Sequence, residues 1–147
     1  MSDAATFRRP ESILVVVHND HGEVLLLKRQ QPFEFWQSIT GSLQPGESPA
    51  AGAARELQEE TGIVGSPVAT GVSRQFAIDP RWRNRFAPGV LDNVEYEFRL
   101  RVEGQPAIQL DPLEHSAFAW VSVSDAIERA WSWTNRDALE NLPISLS

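Results

Sequence analysis

The sequence predicts an α/β protein, a mixed β-sheet with helices packed on it. Two short runs rich in Val, Ile and Leu, at 12–18 and 23–28, have the length and composition of buried strands. The segment 50–61 is dominated by Ala, Arg, Glu, Leu and Gln, all strong helix formers. Strands come first, then this helix, then more strands, then short helical segments, an order that fits a sheet covered by helices.

Each element has its own signal. Ser12 to His18 is a buried strand, and Asn19-Asp20-His21-Gly22 is turn chemistry. Glu23 to Lys28 follows as the second arm of a hairpin. An aromatic-rich connection, Gln31 to Gln37, leads to a short strand at Gln37 to Thr40. Gly41 to Glu47 is a loop. Ser48 is an N-cap, Pro49 suits the first helical position, and Gly62 stops the helix. Ile63 to Gln75 contains a strand, and Ile78 to Leu91 is a long loop of the kind that carries function. Val94 to Val102 and Ala117 to Val121 are strands, with a further short one expected at Ala107 to Leu110. Ser124 is expected to cap a helix over Asp125 to Trp131, and Asn135 another over Arg136 to Asn141.

Composition narrows the function. A length of 147 residues suits one domain, 1–147, and 41% hydrophobic with 22% charged residues excludes a disordered chain. Cysteine is absent, which excludes a disulfide scaffold and thiolate zinc sites. Thirteen Lys and Arg against twenty Asp and Glu leave a net charge of −7, a poor footprint for nucleic acid. An acidic chain still binds phosphates when metal cations intervene. The start, MSDAATFRRP, has no apolar leader, and the aliphatic runs Ile13 to Val17 and Val24 to Leu27 are too short to span a bilayer. A cytoplasmic protein is expected, with no membrane association and no obligate protein partner.

The chemistry concentrates in 41–63. On a helix Glu56, Glu59 and Glu60 share one stripe, spread over about 100° of the circumference. Three carboxylates there repel one another, each like pair costing roughly 0.2–0.5 kcal/mol, and the C-terminal half of a helix disfavours anions. A hard divalent cation removes that penalty, because Mg2+ takes oxygen ligands and bridges carboxylates to substrate phosphates. A bare acidic stripe is otherwise a solvated face.

The spacing around the stripe decides between these. Gly41, Glu47, Arg55, Glu56, Leu57, Glu59, Glu60, Gly62 and Ile63 fill every fixed position of G-x5-E-x7-R-E-U-x-E-E-x-G-U, with U aliphatic. The segment therefore resembles the Nudix box. The resemblance implies an α/β/α sandwich with a mixed sheet, and hydrolysis of a nucleoside diphosphate linked to another moiety with Mg2+ (or Mn2+). It implies Glu56, Glu59, Glu60 and the Gly41 carbonyl as metal ligands. It also implies that Arg55 pairs with Glu47 to hold the loop against the helix. Glu59 and Glu60, supported by Arg55, would carry catalysis, since a metal lowers the pKa of bound water and a carboxylate positions or deprotonates it.

Other stretches resemble one subgroup of that family, the dihydroneopterin triphosphate diphosphatases, also described as dATP pyrophosphohydrolases. These are Arg9-Pro10-Glu11-Ser12, Phe35-Trp36-Gln37-Ser38, Arg85 to Val90, Glu114-His115 and Trp133 to Arg136. The substrate implied is a small-molecule triphosphate. Glu114 resembles the extra carboxylate many Nudix enzymes supply from outside the box, as metal ligand or catalytic base, with a surface Glu as the plain alternative. Phe35 and Trp36 either stack on a pterin or purine or belong to the core, and Trp36 reads as core. Arg9, Arg85, Asn135 and Arg136 are candidate substrate contacts; a solvated loop for Arg85 and a helix cap for Asn135 remain open. Three alternatives stand beside this reading: a house-cleaning hydrolase of damaged nucleotides, an ADP-ribose hydrolase and a non-catalytic nucleotide sensor.

Overall fold

A computed structural model describes residues 7–143. The first six residues, which the leader reading includes, lie outside that range. The strands are β1 (Glu11–Asn19), β2 (Glu23–Arg29), β3 (Phe35–Gln37), β4 (Ile39–Ser42), β5 (Val68–Ala77), β6 (Asp92–Val102) and β7 (His115–Ser122). The helices are α1 (Pro49–Thr61), α2 (Val123–Arg129) and α3 (Trp133–Glu140). A 3-10 helix covers Pro80–Arg85.

All seven strands join one mixed sheet. Its main path runs β3-β2-β1-β6-β5, with β4 pairing β1 and β7 pairing β2. Only β1 and β6 run parallel. The sheet buries both faces, which explains the unbroken aliphatic run of β1. Ile13, Val15 and Val17 face a cluster containing Leu57 and Ala53 of α1. Leu14 and Val16 face the opposite cluster, with Ala126 of α2 and Ala138 and Leu139 of α3. The α/β/α layering and the first hairpin are as expected.

Helix α1 is positioned by its ends. The Ser48 hydroxyl accepts a hydrogen bond from the Ala51 N–H, and Gly62 closes the helix in the left-handed region at φ 79°. That conformation favours glycine, and the Gly62 N–H donates to the Gln58 carbonyl at 2.9 Å.

The structure corrects several boundaries. Ser122 rather than Ser124 caps α2, its hydroxyl accepting from Asp125. Ser132 rather than Asn135 caps α3, so Asn135 lies within the first turn. In each case a serine two or three residues earlier offers the same capping chemistry. The expected strand at 37–40 is two strands, β3 and β4, on different partners. Residues 107–110 form no strand; instead Gln109 N–H donates to the Thr61 carbonyl and pins this segment against the end of α1. The long 78–91 loop holds the 3-10 helix, capped by Asp79 with Pro80 in its first turn.

Candidate active site

One α1 stripe divides into three environments. Glu59 is mostly exposed, with side-chain exposure of 56%, Glu56 is mostly covered at 13%, and Glu60 is buried at 2%. Arg55 organises the first two. Its guanidinium donates to Glu47 at 2.7 and 2.8 Å, to Glu56 at 2.6 Å, to Glu59 at 3.1 Å and to the Ser42 carbonyl at 3.2 Å. The forked contact with Glu47 ties the loop to the helix, and it holds the Glu47 carboxyl down at about 2, chiefly by hydrogen bonding.

Glu60 has no such cation. Both its oxygens are buried without a hydrogen-bond partner. Burial first, then the neighbouring Glu56 and Glu114 carboxylates, push its pKa well above the usual range. Glu114, just before β7, and His115, its first residue, converge on it: one ligand atom from each of Glu60, Glu114 and His115 lies within 4.8 Å of the others. The His115 Nε2 is 3.5 Å from Glu60, and burial first, then the Arg29 cation, hold His115 down at about 4, so its ring is neutral at pH 7. On the other side Gly41 packs so closely on Glu56 that any Cβ there would overlap the carboxyl group. A buried, orphaned carboxylate among further carboxylates and a neutral imidazole is a donor set that fits a divalent cation.

A cleft of about 450 Å³ runs past this cluster. Gly41, Arg8 and Arg29 line it near the carboxylates. Arg8 lies close to Arg85 and Arg29, and desolvation, then these two cations, lower its pKa. Elsewhere the cleft is aromatic, with Phe35, Trp82 and Trp131 in its wall. Their rings, with Phe33, form a continuous cluster with centroids 4.9–6.2 Å apart. The Arg81 guanidinium lies 4.1 Å from the Phe33 ring centroid. Phe35 and Arg136 therefore reach the cleft, whereas Trp36 packs against the α2–α3 core.

Two expected substrate contacts point elsewhere. Arg9 pairs with Glu11 at 2.6 Å and donates to the Gln44 and Glu47 carbonyls, so it clamps the loop before α1. Asn135 is fully buried; its amide accepts from the Ser38 N–H at 2.8 Å and donates to the Ser38 hydroxyl at 2.9 Å. It stitches α3 to the connection between β3 and β4. Sequence reasoning missed Arg8, Arg29, Trp82 and Trp131, and it named His115 only within the Glu114-His115 stretch, without placing it against Glu60. The basic and aromatic character of the 81–85 stretch was a visible signal for Trp82. Nothing local marked Arg29, which lines the cleft beside Phe35, its partner across β2 and β3.

This fold and this carboxylate helix define a class. A profile described as NUDIX domain matches residues 8–142, and the chain belongs to the Nudix family of hydrolases. It is 38% identical over 145 residues to the dihydroneopterin triphosphate diphosphatase of Escherichia coli K12, a match covering 95% of each chain. It is 34% identical to the Haemophilus influenzae enzyme of the same name, covering 95% of this chain and 91% of that one. The solved structure of the E. coli dihydroneopterin triphosphate pyrophosphohydrolase superposes with a TM-score of 0.87 at 36% identity, covering 93% and 97% of the two chains. Nudix hydrolases depend on divalent metal, and the acidic group around Glu60 suits one.

Proposed function

We propose that this protein hydrolyses dihydroneopterin triphosphate to dihydroneopterin monophosphate and pyrophosphate, a step of folate synthesis, with dATP as a lesser substrate. The observation that carries the reading is the cleft itself. Its arginines Arg8 and Arg29 and its Gly41 lie beside the cation-hungry carboxylate cluster, and the rest of its wall is aromatic, as a triphosphate on a flat heterocycle requires. The near full-length match to two diphosphatases supports the choice of head group. A charged triphosphate does not cross membranes, so the reading places the protein in the cytoplasm.

Glu56, Glu59, Glu60 and Glu114, with the Gly41 carbonyl, would hold Mg2+ (or Mn2+). Bound there, the cation neutralises phosphate charge and lowers the pKa of a water. Arg8, Arg29 and Arg85 grip the phosphate tail, where guanidinium forks match phosphate oxygens. Phe35, Trp82 and Trp131 stack on the ring, and Arg136 lies beside it. A carboxylate of the cluster takes the proton of the attacking water. Oxygen adds to a phosphorus of the first anhydride bridge, that bridge breaks, and pyrophosphate leaves.

The test is pyrophosphate release from dihydroneopterin triphosphate, dATP, GTP, 8-oxo-dGTP and ADP-ribose, with Mg2+ and with chelator. The pterin triphosphate is expected to have the highest kcat/KM, and chelator to abolish turnover. Glu60→Gln is expected to fold normally, to lose about 10²–10³ in kcat, and to lose the rise in Tm that millimolar Mg2+ gives the wild type. Preference for 8-oxo-dGTP or ADP-ribose would replace the substrate assignment; normal turnover by a folded Glu60→Gln would remove the metal assignment.

A further inference from the structure

The cleft wall carries a carboxylate that the hydrolytic chemistry does not use. Glu95 lies on β6, on the face turned toward α3, and lines the cleft. It is 5% exposed, and its Oε1 is buried with no hydrogen-bond partner. Its neighbours leave it short of positive charge. Arg74, opposite it on β5, makes its ion pairs with Glu97 at 2.9 Å and Asp137 at 2.8 Å. Glu97 also meets Arg99 at 3.5 Å. Among the described residues no cation forms an ion pair with Glu95.

A second orphan lines the same cleft. The Gln37 Nε2, on β3, is buried without an acceptor. The wall therefore offers one unused anionic acceptor and one unused amide donor. Burying such groups unpaired costs folding free energy, and a ligand that pairs them recovers it. The aromatic wall calls for a flat ring, so the polar edge of that ring must supply the partners. A 2-amino-4-oxopyrimidine edge presents two adjacent N–H donors followed by a carbonyl acceptor. A 6-aminopurine edge places a ring-nitrogen acceptor where the second donor would be.

We propose that Glu95 is the specificity-determining residue of this cleft: its carboxylate accepts the paired N–H donors of a 2-amino-4-oxopyrimidine head group, and the Gln37 amide donates to the adjacent carbonyl. The proposal rests on the substrate reading above and names the side chains that read its head group. It also accounts for a buried charge that folding alone would avoid. Burial pushes Glu95 up to about 7, with Thr134 and Arg74 acting against it and Glu97 with it. Two N–H donors from a ligand favour the ionised form in the same way that Thr134 does.

The experiment compares head groups in wild type and Glu95→Gln. The glutamine keeps the shape but turns half of the acceptor into a donor, which opposes the pterin edge and suits adenine. kcat/KM for dihydroneopterin triphosphate is expected to fall about 10- to 100-fold, while that for dATP holds or rises. Glu95→Asp, which keeps the charge beside Arg74, serves if Glu95→Gln fails to fold, and its selectivity must fall in the same direction. Loss of kcat/KM by an equal factor for both substrates, or an unchanged ratio, overturns the proposal. If the wild type does not cleave dihydroneopterin triphosphate, the substrate reading falls alone. The ratio of dGTP to dATP then tests Glu95, because guanine shares the edge: a drop in that ratio supports the role, and no change overturns it.

Discussion

Replacing Arg55 with alanine tests how the catalytic helix is held. One guanidinium donates five hydrogen bonds, four of them to three carboxylates. Two of those carboxylates are largely covered, Glu47 at 12% and Glu56 at 13% side-chain exposure. Truncation leaves them uncompensated and restores the repulsion between Glu56 and Glu59. Breaking a fully buried pair costs about 3–5 kcal/mol; partial exposure here lowers the expectation to about 3 kcal/mol. For a chain of this length that is a drop in Tm of roughly 6–12 °C. Arg55→Lys keeps a point charge without the fork and is expected to recover about half.

The same contact sets a pH signature. The folded pKa of Glu47, about 2, is depressed below the ordinary glutamate value of 4.5. Its stabilisation is therefore complete above pH 4.5 and is lost as pH falls toward 2. The gap between wild type and Arg55→Ala should shrink over that window. Urea unfolding in chelator, followed by tryptophan fluorescence from pH 7 down to pH 3, measures both effects. A variant within about 0.5 kcal/mol of wild type at pH 7 would refute the reasoning, because surface pairs of no consequence give that value.

Two further outcomes follow from buried groups. Asn135→Ala leaves the Ser38 N–H without its acceptor and should cost about 1–3 kcal/mol while KM stays unchanged. A raised KM with unaltered stability would return Asn135 to substrate binding. Glu95 has the opposite linkage sign to Glu47, since its folded pKa of about 7 lies above the ordinary glutamate value of 4.5. Its cost is absent below pH 4.5, grows as pH rises to about 7 and then levels, reaching on the order of 3 kcal/mol against Arg74, Glu97, Asp137 and Thr134 around it. Wild type should lose stability relative to Glu95→Gln over that range in chemical unfolding; parallel curves would show that Glu95 ionises freely.

Much of this molecule is local and so was legible in the chain. Box spacing, the Ser48 and Gly62 caps and the Glu47–Arg55 pair depend on residues a few helical turns apart. Helix geometry alone brings Arg55 to Glu59 and sets Glu56, Glu59 and Glu60 on one stripe. The strand runs were equally plain, because a sheet covered on both faces demands continuous aliphatic sequence, as in Ile13 to Val17.

Tertiary structure alone decided how deep each carboxylate lies. Glu59 and Glu60 are neighbours in sequence, yet one is solvated and the other sealed under β7 beside His115. Strand pairing likewise decided which cations line the cleft. Arg9 turns to Glu11 and the loop before α1, whereas Arg8 and Arg29 line the cleft. Asn135 reads as a cap or a contact from its neighbours, and becomes a buried clamp only because Ser38 lies 97 residues away in sequence and 2.8 Å away in space. Burial and long-range pairing are properties of the assembled sheet, and no window along the chain contains them.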